Sequence, residues 1–180
     1  MSDPSQPQLD RDRLDALLTA ACERLDGEWL LVGGALVALW LEPGRVTQDI
    51  DLIGLRGLAQ ERYALVDFAV SQGLPVEAVN SAADYFVQKI DGWREELQPF
   101  RSGARGRIFR PSPTLFLLLK LGRLGARDLA DCEALLARAA ADGLPIDRAR
   151  VRAAIEALAA TADHALTERR AALRAALERG

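Results

Sequence analysis

Apolar residues at Leu14, Leu17, Leu18, Ala21, Cys22 and Leu25 recur at intervals of three and four, the period of a helix with one buried face. Gly27 stops it. The run Trp29-Leu30-Leu31-Val32 is apolar without a break and predicts a short buried strand. Gly33-Gly34 interrupts that run, residues 35–41 predict a short helix ended by Pro43-Gly44, and residues 48–53 predict a second strand. A further helix is expected over residues 58–71, burying Leu58, Leu65, Val66, Ala69 and Val70, with Gly73 as its stop. Residues 74–79 read as a third strand and residues 107–110 as one more, while residues 84–90 suit either strand or helix. Ser112-Pro113 combines a capping hydroxyl with a first-turn proline and predicts a helix through Leu124. Helices over residues 129–141, 148–160 and 163–177 follow.

Nineteen alanines lie beyond Gly125, which favours an all-helical C-terminal part. Strands early and helices late predict an α+β fold with a C-terminal helical annex. The expected organisation is a disordered leader over residues 1–8, a mixed core over 9–111 and a helical subdomain over 112–180. At 180 residues, 49% apolar and 27% charged, the chain is long and apolar enough for a real core. A net charge of −3 argues against a protein that binds polyanions over its whole surface. Cys22 and Cys132 are too few for a disulfide scaffold, and a single histidine, His164, excludes a His-rich metal site and argues against a His-based triad. The polar start carries no signal-like run, and the apolar stretch Leu115 to Leu119 is far too short for a bilayer. A cytoplasmic protein with no membrane partner is therefore expected. Of 23 basic residues only Lys89 and Lys120 are lysines.

The candidate chemistry lies between Leu31 and Leu55. Asp49 and Asp51, two apart in an extended strand, present two carboxylates on one face, while Ile50 and Leu52 point to the core. Such a pair can hold two Mg²⁺ ions roughly 3.5–4 Å apart, the arrangement that clamps attacking and leaving oxygens in phosphoryl transfer. Gly33-Gly34 stands between a strand and a helix, where the backbone can approach a ligand and free N–H groups can bind phosphate. Asp10-Arg11-Asp12 repeats the acidic spacing without the strand or the glycines. The linked pattern carries the signal: apolar strand, Gly-Gly, short helix, then Arg45-x-Thr47-x-Asp49-x-Asp51.

That window resembles the signature of the minimal nucleotidyltransferase superfamily, the polymerase-β-like fold, and most nearly the branch of bacterial AbiEii-type abortive-infection toxins. A second stretch, Lys120-Leu-Gly-Arg123-Leu-Gly-Ala-Arg127-Asp128-Leu-Ala-Asp131, is similar to a later motif of those proteins. The resemblance covers residues 29–136. It implies a small mixed sheet with flanking helices. It also implies Mg²⁺ on Asp49 and Asp51, nucleotide phosphates at Gly33, Gly34 and Thr47, triphosphate charge neutralised by Lys120, and a catalytic role for Asp131. Lys120, Arg123 and Arg127 are spaced so that one helix face would present three cations to a polyphosphate. The superfamily's third carboxylate has no matching motif here; Glu77 is the first candidate and Asp84 the second.

The expected activity is Mg²⁺-dependent transfer of NMP from an NTP to a hydroxyl or phosphate acceptor, with transfer RNA, protein and small molecules all open. A cognate toxin or antitoxin partner is a further expectation. Two alternatives stand beside it: a non-catalytic interaction or antitoxin-type protein on the same fold, and an antibiotic nucleotidyltransferase. The stretch Arg101 to Arg127, with seven basic residues and no acid, is the candidate surface for a triphosphate or an RNA end.

Overall fold

A computed structural model describes residues 8–57 and 59–179. Among the described residues the fold is α+β, with eight α-helices and one five-stranded mixed sheet. The chain divides into two compact units. One comprises the residues up to Lys89 with Leu97–Pro111, the other Ile90–Glu96 with the residues from Ser112 onward. The first seven residues of the expected leader, and Leu58, lie outside the described residues.

The sheet unit opens with α1 (Arg11–Arg24), whose N-cap Asp10 accepts a hydrogen bond from Arg13 N at 2.9 Å. Its buried face is Leu14, Leu17, Leu18, Ala21 and Cys22, as the periodicity predicts. The sheet is built from β1 (Gly27–Val32), β2 (Ile50–Gly54), β3 (Val79–Asn80), β4 (Leu97–Ser102) and β5 (Gly106–Pro111), in the order β3-β2-β1-β5-β4. β1 is the central strand, antiparallel to β2 and parallel to β5, which is why Trp29 to Val32 reads as an unbroken apolar run. α2 (Gly33–Trp40) is apolar on every side and buried from Ala35 to Leu39, as a helix of that composition must be.

Three expectations need correction in this unit. Residues 74–79 do not form a strand: Pro75 has no N–H for a ladder, and Val76–Ala78 closes a 3₁₀ turn in which Ala78 N donates to Pro75 O at 3.0 Å. Only Val79–Asn80 pairs with β2. α3 (Ala59–Ser71) buries Glu61, Leu65, Phe68 and Ala69, whereas Val66 and Val70 are exposed. β4 went unpredicted because Pro99 and a mixed burial pattern disguise it; proline is tolerated there on an edge strand at an irregular register. Within the ambiguous segment, α4 (Asp84–Val87) is a single helical turn.

The helical unit contains α5 (Pro113–Leu121), α6 (Ala126–Asp142), α7 (Arg148–Ala157) and α8 (His164–Arg179). Ser112 caps α5 by accepting from Leu115 N at 3.1 Å. The helix ends three residues earlier than its apolar pattern predicts, because Leu124 adopts a left-handed conformation (φ 38°) that turns the chain into α6. Thr114 Oγ1 accepts from Asp147 N at 2.9 Å, and Arg150 donates to Glu96 Oε1 and Asp91 O, both at 2.6 Å. No helix among the described residues is long and apolar enough to cross a membrane.

Both cysteines are buried, and burial raises both thiols, that of Cys132 to about 12. Neither should react with a thiol-specific reagent at pH 8 in the folded protein, while both should react in denaturant. Stoichiometric labelling of the native chain would contradict that burial.

Candidate functional site

The turn from β1 into α2 passes through Gly33, at φ 72°, a conformation that glycine alone adopts at little cost. Val32 lies opposite Asp51 in the β1–β2 ladder, which carries the Asp51 side chain back over the turn. A Cβ on Gly33 would fall 2.1 Å from Asp51 Oδ2. The glycine is therefore required twice, for the backbone angle and for the carboxylate lying against it. Gly33→Ala should weaken folding by about 1–2 kcal/mol from the backbone term alone. It should also displace Asp51, so that a melt and a nucleotide titration both register the change. A variant that matches the parent in both would refute the close approach.

Gly34 stands in the same relation to the residue before the acidic pair. A Cβ there would lie 2.7 Å from Thr47 Oγ1. The Thr47 hydroxyl donates to Asp49 Oδ1 at 3.1 Å, with the Asp49 carbonyl at 3.4 Å. Asp49 precedes β2 by one residue and is exposed, Asp51 is half-buried within β2, and Ile50 and Leu52 are wholly buried. Gly33, Gly34, Thr47, Asp49 and Asp51 thus come together around one turn, at the start of an eight-residue helix whose first N–H groups have no intrahelical partner.

Neither candidate for a third carboxylate sits on a strand. Glu77 is exposed on the 3₁₀ turn, and Asp84 opens α4, where its Oδ1 accepts from Gln88 Nε2 at 3.0 Å. The β3 residue in register with Asp51 is Asn80. Its Oδ1 accepts from Ala82 N at 2.9 Å and its amide donates to Glu77 O at 3.3 Å. Sequence reasoning passed over Asn80, because its neighbourhood with Asp51 depends on a two-residue strand that Pro75 disguises.

In the helical unit, Lys120, Arg123, Asp128 and Asp131 form one ion-pair cluster. Lys120 Nζ lies 3.0 Å from Asp128 Oδ1 and 2.7 Å from Asp131 Oδ2, and Arg123 holds Asp128 through Nε at 2.8 Å and Nη2 at 2.9 Å. Asp128 and Asp131 are 2% and 1% exposed. Burial raises the Asp128 carboxyl, but the Arg123 and Lys120 hydrogen bonds and charges and the Gly125 N–H outweigh it and hold the group well below the usual carboxylate range. Two cations face two anions in this cluster. The single cationic helix face expected from spacing does not form: α5 ends at Leu121, and Arg127 is exposed on α6. Asp128 is the third residue of α6 and accepts from Gly125 N at 3.0 Å, fixing the helix start at Ala126, three residues ahead of the expected 129.

The basic stretch is also divided. Arg101 donates to Thr19 Oγ1 at 2.6 Å and pairs with Asp15, and Arg105 holds Asp26 through two hydrogen bonds at 2.8 and 2.6 Å. Gly106 pairs with Gly27, so the β4–β5 hairpin turn lies at the opposite end of β1 from Gly33, roughly 20 Å along a six-residue strand. Arg101, Arg105 and Arg107 therefore do not face the acidic pair. Arg110, near the carboxyl end of β5, instead stacks on Trp40 of α2 with its guanidinium carbon 4.0 Å from the ring centroid.

Among the described residues, no group of three or more His, Cys, Asp or Glu side chains is placed to hold a metal. The oxygens of Asp49 and Asp51 are nonetheless of the kind Mg²⁺ takes, since that ion is usually held by one or two carboxylates together with substrate phosphates and water. The space left by the missing Gly33 side chain is where Asp51 Oδ2 lies, so the residues present fit such an ion. No protein-family model, no curated protein and no solved structure matches the chain.

Proposed function

We propose that the sheet unit is a minimal nucleotidyltransferase of the polymerase-β-like fold, binding Mg²⁺–NTP and transferring NMP to an acceptor hydroxyl or phosphate. The observation that carries the reading is the Asp51 carboxylate packed against a left-handed Gly33 at the start of α2. Nothing in core packing calls for a half-buried acid in the second position of an otherwise buried strand. Asp49 and Asp51 would hold Mg²⁺, which when bound supplies positive charge to the triphosphate and to the leaving pyrophosphate. The N–H groups of the first turn of α2, at Gly33 and Gly34, would donate to phosphate oxygens, as helix N-termini do. Thr47 orients Asp49. In the reaction the acceptor oxygen bonds to the α-phosphorus, the bond to pyrophosphate breaks, and the acceptor loses its proton.

One observation favours a second reading, a nucleotide-binding interaction protein without transfer. Asn80 stands beside Asp51, and neither Glu77 nor Asp84 is on an adjoining strand, so neither candidate for a third carboxylate is paired beside Asp51 to take the acceptor's proton. Incubation with each α-labelled NTP, Mg²⁺ and a cell extract separates the two. Label entering RNA, protein or small molecules, with pyrophosphate release, supports transfer. Nucleotide binding without either product supports the second reading, and no nucleotide binding contradicts both.

A further inference from the structure

The segment just before α1 touches the candidate site through one residue. Leu9 and Thr47 form an isolated antiparallel bridge: Leu9 N donates to Thr47 O at 2.8 Å, and Thr47 N donates to Leu9 O at 3.1 Å. The Leu9 side chain is 1% exposed, so the bridge is anchored in the core. On its other side it is tied to a rigid helix, because the next residue, Asp10, caps α1, and Arg13 of that helix donates to Gln72 O at 3.2 Å.

The residue so clamped is the one that reaches both halves of the site. Thr47 Oγ1 donates to Asp49 Oδ1, and it occupies the space beside Gly34 that a Cβ would need. Residues 41–49 have no strand or helix of their own between α2 and β2, and the bridge to Leu9 holds the Thr47 backbone from both its N–H and its carbonyl. An exposed carboxylate in such a loop would ordinarily sample several rotamers.

We infer that Leu9 is a positioning residue for the acidic pair: its backbone bridge sets Thr47, and Thr47 sets the Asp49 carboxylate that would hold the metal. The inference rests on the Mg²⁺–nucleotide reading of the site. It extends that site to a residue forty positions ahead of Asp49, just before α1. Partners that orient a metal ligand typically change metal affinity by about 10–100-fold when removed.

The test is a double-mutant cycle with two readouts. Thr47 amide hydrogen exchange reports the bridge directly and needs no nucleotide. Mg²⁺-dependent NTP affinity, measured well below the melting temperature, reports its consequence. Leu9→Ala should speed exchange at Thr47 and weaken affinity about tenfold, and Leu9→Met should restore both. Thr47→Val should weaken affinity by a similar factor. In the Thr47→Val background Leu9→Ala should then cost almost nothing more, since the two act through one hydroxyl. Leu25→Ala, a core truncation at the far end of α1, should lower the melting temperature without changing affinity.

Full additivity of Leu9→Ala and Thr47→Val would overturn the inference, as would unchanged affinity in Leu9→Ala or an equal loss in Leu25→Ala. A parent protein that binds no Mg²⁺–nucleotide at all would instead overturn the reading of the site on which the inference stands.

Discussion

Asp51→Ala should abolish Mg²⁺-dependent nucleotide binding and any NMP transfer while leaving the melting temperature within a few degrees of the parent. Asp51 is half-buried at the end of the β1–β2 ladder, so its backbone pairing with Val32 and Asn80 survives the change. Its carboxylate is one of the two that the proposed site would offer an ion, and removing one is expected to cost at least 100-fold in activity, in the range of losing a principal electrostatic contact. Asp49→Ala should do the same, with an even smaller effect on folding because Asp49 is exposed. Titration of folded variants with each NTP in Mg²⁺ checks both. Retained binding and turnover in either would remove that aspartate from the site.

Lys120→Met should show the opposite balance, a large loss of stability. The ammonium lies between Asp128 and Asp131, and Asp131 is all but excluded from water. Removing one partner of a buried ion pair is strongly destabilising, at a cost of about 3–5 kcal/mol. For a chain of this size that corresponds to a fall in melting temperature of roughly 10 °C. Replacing Asp131 by leucine as well should recover much of the loss, because a buried pair exchanged for apolar groups is often neutral. Were Lys120 instead an uncommitted cation awaiting a polyphosphate, its loss would scarcely move the melt, and that result would overturn the structural assignment of the cluster.

The same cluster sets an acid limit. Asp128 binds a proton more weakly in the fold than in the unfolded chain, whose aspartates titrate near 3.9. Its contribution to stability is complete above that value and is lost as pH falls through the depressed folded pKa, because the unfolded chain takes up protons first. Asp128→Asn should therefore be less stable than the parent at pH 7 and show a shallower loss of stability below about pH 4. Identical acid profiles for the two proteins would contradict the assignment.

Much of the sheet unit was legible because its signals are local. Leu14 to Cys22 repeat at helical spacing, Trp29 to Val32 lack any polar residue, and Gly33-Gly34 punctuates the change from strand to helix. That the glycines and the aspartates serve one site was legible from the linked pattern, whereas the packing of Asp51 against Gly33, with its φ of 72° and 2.1 Å approach, belongs to the fold. What escaped depends on partners far apart in sequence. Arg110 finds Trp40 seventy residues away, Leu9 finds Thr47 across α1 and β1, and Asn80 reaches Asp51 through a strand of two residues.

The expected cationic face of Lys120, Arg123 and Arg127 fails to form for a related reason. Spacings of three and four promise a shared helix face only if the helix continues, and the left-handed Leu124 ends that continuity between Lys120 and Arg127. The basic stretch misled similarly, since charge counted along a sequence says nothing of Asp15 and Asp26, which meet Arg101 and Arg105 across the fold.

The Gly33-Gly34 turn and the Asp49–Asp51 pair are proposed to bind a metal–nucleotide complex together. Calorimetric titration of the intact protein with ATP, GTP, CTP and UTP, each with Mg²⁺ and again with excess EDTA, tests it most directly. Saturable binding of at least one nucleotide that disappears with EDTA and in Asp51→Ala is the predicted result. Binding of none, or binding indifferent to both Mg²⁺ and Asp51, would contradict the account.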